Sequence, residues 1–321
     1  MTDGAVTHMA DYSLDFNVRH DLEKGSCTIG FRCFDTPNSV TVYGTLPPDI
    51  LEGLLLGIRR SCLEYHRLWS FSSPESDIAR INQDVGRVTV DSRTTDLLKA
   101  MASFSASEPL FDFTIGPVSL AWKKAQRVPT DDELSDALSH VGVSKLTIGD
   151  GVVEKADPLS RVDVGGAAKG FVADEIATML RLAGVKSADV DLGGNLYLLG
   201  SHPEGRPWRL AVRIPEGVPA ERILVEVRDR SAVTSGSYER FVEIEGRRYQ
   251  HIIDPTTGWP SESDIVSATV IAGSSLQADM LATTACLAGS AGLEALANRH
   301  PDCMFIAILA DGTVLRSNQA V

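Results

Sequence analysis

The sequence predicts an α+β fold, a single compact mixed-sheet unit with packed helices. Helical and strand-like segments alternate irregularly, unlike the regular alternation of a doubly wound parallel sheet. The stretch from Trp208 to Val270 is mostly strand-like, and no break in composition marks a linker. Residues 25–321 therefore form one expected domain, preceded by a loose polar extension over residues 1–24.

Each element has a local reason. Ser39–Tyr43 is rich in β-branched residues and predicts a strand. Pro47 and Pro48 lead into a helix over Asp49–Leu68, where Ile50, Leu54, Ile58, Cys62 and Tyr65 recur at helical spacing. A second helical stretch covers Thr94–Phe104, and Val128–Val143 reads as a loop followed by a helix. Asp163–Leu182 reads as a strand end, a glycine turn and a helix from about Ala167. Ala188–Leu192 and Leu196–Leu199 are strands joined across Gly193-Gly194-Asn195, a tight-turn sequence. Further strands are expected at Arg209–Arg213, Ile223–Val227, Phe241–Ile244, Tyr249–Ile253 and Val266–Ile271. A helix over Leu276–Leu287 and a hairpin over Met304–Leu315, turning at Asp311-Gly312, complete the chain.

Composition narrows the function. With 321 residues, 43% of them hydrophobic, a sizeable core is available. The formal net charge of -13 disfavours nucleic acid as a partner. The five cysteines are scattered and form no C-x-x-C pair, which reads as reduced thiols rather than disulfides or a zinc site. Met1–His20 contains no apolar run of the secretory kind, and no stretch approaches the roughly 20 apolar residues of a membrane span. The expectation is a cytoplasmic protein with no membrane span.

Several segments carry chemistry. In Asp163–Asp174 a strand end meets two glycines and then a helix, whose free amides and partial positive charge suit an anion. Lys169 adds a full positive charge in the first turn, where a cation is out of place unless it faces an anion. The same residues would also serve an ordinary strand-to-helix turn. In Ser274–Thr283, Ser274 and Gln277 resemble a capping box, and Asp279 and Thr283 share one face of an otherwise apolar helix. Hard oxygen ligands of that kind suit magnesium, while an ion-paired Asp and a Thr bonded to its own helix is the plainer alternative. Thr234–Arg240 is a hydroxyl-rich glycine turn able to meet phosphate or ribose oxygens. His251, three residues before Asp254-Pro255, could be a general base or a structural histidine. Phe71, Phe111 and Phe113 could flank a planar ring or fill the core.

Together these segments resemble the FAD:protein FMN transferase family, the ApbE type. The matches are Ser70–Asn82, Phe111–Pro117 (F-D-x-T-x-G-P), Asp163–Phe171 (D-x-G-G-I-A-K-G-Y/F) and Gly193–Asn195. Thr234–Arg240 (T-S-G-D/S-Y-E-R), His251–Pro260 (H-x-I-D-P-x-T-G-x-P) and Ala278–Thr283 (A-D-A-L-A-T) follow in the family's order. The resemblance spans roughly residues 50–315. It departs at Ser72, where the family has an aromatic, and at the N-terminal M-G-T strand, near whose place Cys33–Thr36 stands.

The resemblance implies a transferase that cleaves FAD at its pyrophosphate with magnesium, esterifies FMN to a Thr or Ser of a target flavoprotein, and releases AMP. It makes Asp279, Thr283 and a main-chain carbonyl at Gly166 the metal ligands. Asp163, Lys169, Leu110, Phe111, Asp112, His251 and Ile253 become FAD contacts, and His251 and Asp279 the catalytic residues. The implied partner is a flavoprotein bearing a D-G-x-S/T-G-A-S/T-like site. Two alternatives are an FAD pyrophosphatase yielding FMN and AMP, and a non-catalytic FAD carrier.

Overall fold

The computed structural model describes residues 15–44, 46–71, 73–238 and 241–317. In chain order the first strands are β1 (Phe16–Asp21), β2 (Ser26–Cys33) and β3 (Thr36–Tyr43). Helices α1 (Pro48–Trp69) and α2 (Asp77–Gln83), strand β4 (Arg87–Thr89), and helices α3 (Ser92–Ser107), α4 (Gly116–Lys124) and α5 (Asp131–Ser139) follow. Strands β5 (Leu146–Ile148) and β6 (Val152–Lys155) precede α6 (Ala168–Leu182), β7 (Ser187–Leu192) and β8 (Asn195–Gly200). The hairpin β9 (Trp208–Ala211) and β10 (Leu224–Val227) leads to β11 (Arg230–Gly236) and a second hairpin, β12 (Phe241–Ile244) and β13 (Arg247–Gln250). The chain closes with β14 (Ile265–Ala272), α7 (Ser275–Arg299), β15 (Met304–Leu309) and β16 (Val314–Ser317).

Nine strands form one sheet in the order β1-β2-β3-β7-β8-β11-β14-β15-β16. Its ladders are all antiparallel, so the α+β expectation holds while the mixed sheet becomes an antiparallel one. Strand alternation builds the core: Val40 and Val42 of β3, and Ala188, Val190 and Leu192 of β7, share one buried cluster with the apolar faces of α1 and α6. The other face is covered by the β9–β10 hairpin, whose Trp208, Val225 and Val227 pack on Leu198, Ala232, Ile271 and Ile308.

Helix α1 agrees with the periodicity except at its start. Leu51 and Leu55 are buried there and Ile50 is exposed, which moves the apolar stripe one residue along before Ile58, Cys62 and Tyr65 continue it. The Gly193-Gly194 turn between β7 and β8 has φ of 62° and 90°. That left-handed pair is the geometry for which a two-residue hairpin selects glycine. All five cysteines are buried thiols outside any disulfide.

Four further expectations need correction. Residues 16–21 of the supposed loose extension are strand β1, paired with β2 in register Phe16↔Phe31 to Asp21↔Ser26. It is an edge strand exposed on both faces, so it carries no alternating pattern; residues 1–14 lie outside the described residues. Thr234-Ser-Gly236 is not a turn but the end of β11, a central strand between β8 and β14. The strand expected over Tyr249–Ile253 ends at Gln250, so His251 follows the strand instead of lying within it. Finally, α7 is long and apolar enough to cross a membrane, with mean hydropathy 1.3. It is a core helix: Ala278, Leu281, Ala282 and Ala285 are fully buried in the main core, and the helix is kinked at Gly289.

Candidate active site

The site is assembled from the amino end of α6 and one face of α7. Asn82 of α2 fixes the approach to α6: its Nδ2 donates to Val162 O (2.9 Å) and its Oδ1 accepts from Val162 N (2.7 Å). The next residue, Asp163, donates its N–H to Phe113 O at 2.7 Å, which lays residues 111–113 beside residues 162–163. The Asp163 carboxylate accepts the Gly165 N–H (3.0 Å) and lies 3.8 Å from the Lys123 ammonium. Ala167, at the start of α6, offers no capping side chain, so the first-turn amides look elsewhere for partners. The Gly170 N–H finds one on another helix, the Asp279 carboxylate of α7, at 3.0 Å. Lys169 Nζ reaches Gly193 O at 3.4 Å, bridging the helix start to the β7–β8 turn.

Asp279 is 5% exposed. One turn on, Thr283 Oγ1 lies 3.5 Å from Ser235 Oγ of β11 and 3.4 Å from the Asp279 carbonyl. A methyl group built on Gly166 would sit 3.4 Å from Thr283 Oγ1, so the glycine turn and the α7 hydroxyl are neighbours. A buried carboxylate, a hydroxyl and a main-chain turn form a hard-oxygen donor set. Among the described residues no three His, Cys, Asp or Glu side chains gather at one point. Magnesium fits that set, because it takes one or two carboxylates and completes its shell with phosphate and water.

These groups open on a cavity of about 340 Å³. Leu110, Phe111, Asp112, Asp163, Gly166, Lys169, His251, Ile253, Asp279 and Thr283 all line it, so every residue singled out as catalytic, FAD-contacting or metal-ligating is brought to one place. Asp112 holds its own loop by accepting from Thr114 N (2.8 Å) and Thr114 Oγ1 (2.6 Å). His251 is exposed on the wall just past β13. The Leu110–Asp112 segment is anchored from behind by Glu108. That carboxylate is 2% exposed and accepts from Arg299 Nε (2.8 Å) and Nη2 (2.6 Å) and from His300 Nε2 (2.8 Å). Burial alone would raise the Glu108 pKa, but these hydrogen bonds outweigh it and hold it below the ordinary value.

Sequence reasoning missed part of the wall. Ser119, Trp122 and Lys123 of α4 and Phe241 also line the cavity, beside Asn195 and Ser235 from the segments already singled out. The only local signal for α4 is Gly116-Pro117, with proline in the first helical turn. Conversely, the described polar residues of the Ser70–Asn82 segment are structural: Ser76 caps α2 through Ala79 N, and Asp77 Oδ2 accepts from Asp91 N (2.9 Å) and Thr94 Oγ1 (2.7 Å). Phe71 is exposed with Lys123 Nζ 4.5 Å above its ring, while Phe111 and Phe113 are buried and line the cavity. Ser72, Glu239 and Arg240 lie outside the described residues. Cys33–Thr36 carries the β2–β3 turn, packed against Gly193.

The same fold is found in the flavin transferase ApbE from Vibrio cholerae, at TM-score 0.80 and 26% identity over 95% of this chain and 98% of that one. The apo flavinyl transferase ApbE of Pseudomonas stutzeri gives TM-score 0.79 and 26% identity over 95% and 96%. Fold and cavity thus define a protein of the flavin-transferase class. The ApbE family profile matches residues 34–306. An FAD:protein FMN transferase of Treponema pallidum is 33% identical over 310 residues, 89% of this chain and 84% of that protein. Another, from Haemophilus influenzae, is 28% identical over 298 residues, covering 88% and 84%. The chain belongs to the ApbE family.

Proposed function

We propose that this chain transfers the FMN half of FAD, with magnesium as cofactor, to a Thr or Ser hydroxyl of a target flavoprotein and releases AMP. The observation that carries the reading is the meeting of α7 and α6 in one cavity, with Asp279 bonded across to the Gly170 N–H and Thr283 beside Gly166. The amino end of α6 and Lys169 supply the positive ground on which a diphosphate would rest. Asp279, Thr283 and the Gly166 main chain would hold the ion. Magnesium bound there would act as a Lewis acid toward the phosphate oxygens, help worth several kcal/mol.

The chain's own residues do the rest. Phe111, Phe113 and Trp122 give the cavity apolar walls for a ring, and phosphoryl transfer depends mainly on positioning and electrostatics. The acceptor hydroxyl oxygen bonds to the FMN phosphorus as the bond from that phosphorus to the oxygen bridging it to AMP breaks. Its proton passes to His251 or to the Asp279 carboxylate, and AMP leaves with the bridging oxygen. The expected acceptor carries a D-G-x-S/T-G-A-S/T-like site.

The test is to incubate the chain with FAD, magnesium and such a flavoprotein, then follow in-gel flavin fluorescence after denaturation together with AMP release. Labelled acceptor with one AMP per FMN supports transfer. FMN and AMP without label would make the chain a pyrophosphatase, and bound flavin without AMP would make it a carrier; either result overturns the proposal.

A further inference from the structure

Asp174 lies in the same glycine-turn segment as Lys169, yet it does not line the cavity. Its carboxylate crosses from α6 to the amino end of α7. Oδ1 accepts the Ser275 N–H at 2.7 Å, and Oδ2 accepts the Leu276 N–H at 3.0 Å and the Ser274 hydroxyl at 2.7 Å. Ser274 Oγ in turn accepts the Gln277 N–H at 3.2 Å. The capping box read from Ser274 and Gln277 is therefore half there, and its remaining first-turn donors go to a carboxylate 100 residues away in sequence.

The arrangement is reciprocal. Helix α7 returns Asp279 to the amino end of α6, and α6 sends Asp174 to the amino end of α7. Between the two caps the helices touch backbone to backbone, because a methyl group on Gly170 would lie 2.6 Å from Ser275 O and 2.7 Å from Leu276 Cα. A negative charge at each helix start is electrostatically favourable, and each bond to a charged acceptor is stronger than a neutral one. Ser275 is further tied to β8, its hydroxyl donating to Asn195 Oδ1 at 2.5 Å. The start of α7 is thus fixed in both rotation and height, and Asp279 and Thr283 follow within its first three turns.

We propose that Asp174 is a positioning residue for the Asp279–Thr283 pair: by capping α7 from α6 it sets the pair against the glycine turn and so sets affinity for the divalent cation. The inference rests on the metal-site reading above. Carboxylates that orient metal ligands from behind typically govern affinity by 10–100-fold.

The experiment is titration of the purified full chain with Mn²⁺, read by calorimetry without FAD, and then the metal dependence of transfer. Asp174→Asn keeps the shape but replaces one accepting oxygen with a donor. It is expected to bind Mn²⁺ at least ~10-fold more weakly and to recover most of its maximal rate at saturating metal. Ser274→Ala, which removes one of the three bonds, is expected to show a smaller shift and covers the case in which Asp174→Asn does not fold. Thr130→Ala, which breaks the capping box of α5, lowers stability alone and should leave the isotherm unchanged. Wild-type Mn²⁺ affinity in a folded Asp174→Asn or Ser274→Ala protein would overturn the proposal. Asp279→Asn separates the two ideas, because Mn²⁺ binding that survives in Asp279→Asn would instead refute the metal-site reading.

Discussion

Replacing Gly170 with alanine should cancel or reverse the usual gain of a helix substitution. Within a helix, Gly→Ala ordinarily stabilises by about 1 kcal/mol. Here the new methyl would meet Ser275 O at 2.6 Å, Leu276 Cα at 2.7 Å and Asp279 Cβ at 2.9 Å. Two of those atoms are backbone and cannot rotate away. Ordinary contact begins near 3.4 Å, so the α6–α7 crossing must open by about 0.8 Å, the difference from 2.6 Å. Such overpacking costs about 1–3 kcal/mol, so the net effect runs from about neutral to about 2 kcal/mol destabilising. The same opening falls on the 3.0 Å bond from Gly170 N to Asp279 Oδ2 and stretches it beyond hydrogen-bond range. A misplacement of that order costs roughly 10²-fold in rate. Gly57 in α1 is the control: nothing lies within 4 Å of its added methyl, and Gly57→Ala should gain about 1 kcal/mol. Denaturant titration and metal-dependent flavinylation read both effects. A Gly170→Ala protein that gains stability as Gly57→Ala does, with unaltered transfer, would refute the close-crossing reasoning.

Other expectations are more local. Asn82→Ala strips both hydrogen bonds from the buried Val162 backbone and should cost about 2–4 kcal/mol in chemical denaturation. Thr283→Val keeps the shape of the side chain and loses only long contacts of 3.4 and 3.5 Å, so stability should change by less than about 1 kcal/mol. Calorimetry should nevertheless show much weaker Mn²⁺ binding for that variant. Stability should also fall in acid. Glu108 is held below its ordinary 4.5 by Arg299 and His300 against the effect of burial. Asp157 is lowered from 3.8 to about 2 by hydrogen bonds from His140, Leu159 N–H and Lys145. Both pKa values are depressed in the folded state, so their stabilisation is complete above the unfolded values and is lost as pH drops through the folded ones. Denaturation midpoints should hold steady down to about pH 4.5 and decline toward pH 2; a midpoint that improves on acidification would contradict this.

The legible parts of the chain are those where one physical pattern dominates. Helix α1 announces itself by an apolar stripe, β7–β8 by paired glycines at a left-handed turn, and α7 by a serine cap before an apolar run. Strand β11 was illegible because it is central and hydroxyl-rich. Ser231, Thr234 and Ser235 look like loop residues, but Ser231 Oγ reaches Leu196 O and Thr234 Oγ1 meets Thr269 Oγ1 at 2.8 Å across the ladder. Strand β1 escaped because an edge exposed on both faces needs no alternation. At the site, Lys169, His251, Asp279 and Thr283 stand out by type and spacing, while Asp112, Asp163 and the Gly166 main chain are reached only through the family resemblance; all of them line one cavity. The wall from Trp122 and Phe241 was not, since an aromatic facing a cavity and one facing the core have the same periodicity. Ser70–Asn82 carries the opposite lesson: its polar residues turned out to cap helices and brace the backbone.

The most direct measurement of the central claim is a crystal structure grown with FAD and Mn²⁺, with the ion located by anomalous scattering. The expected peak is coordinated by the Asp279 carboxylate, the Thr283 hydroxyl and the Gly166 main chain, touching a diphosphate laid over the amino end of α6. A peak bound elsewhere, or a diphosphate lying away from residues 165–169, would contradict that claim.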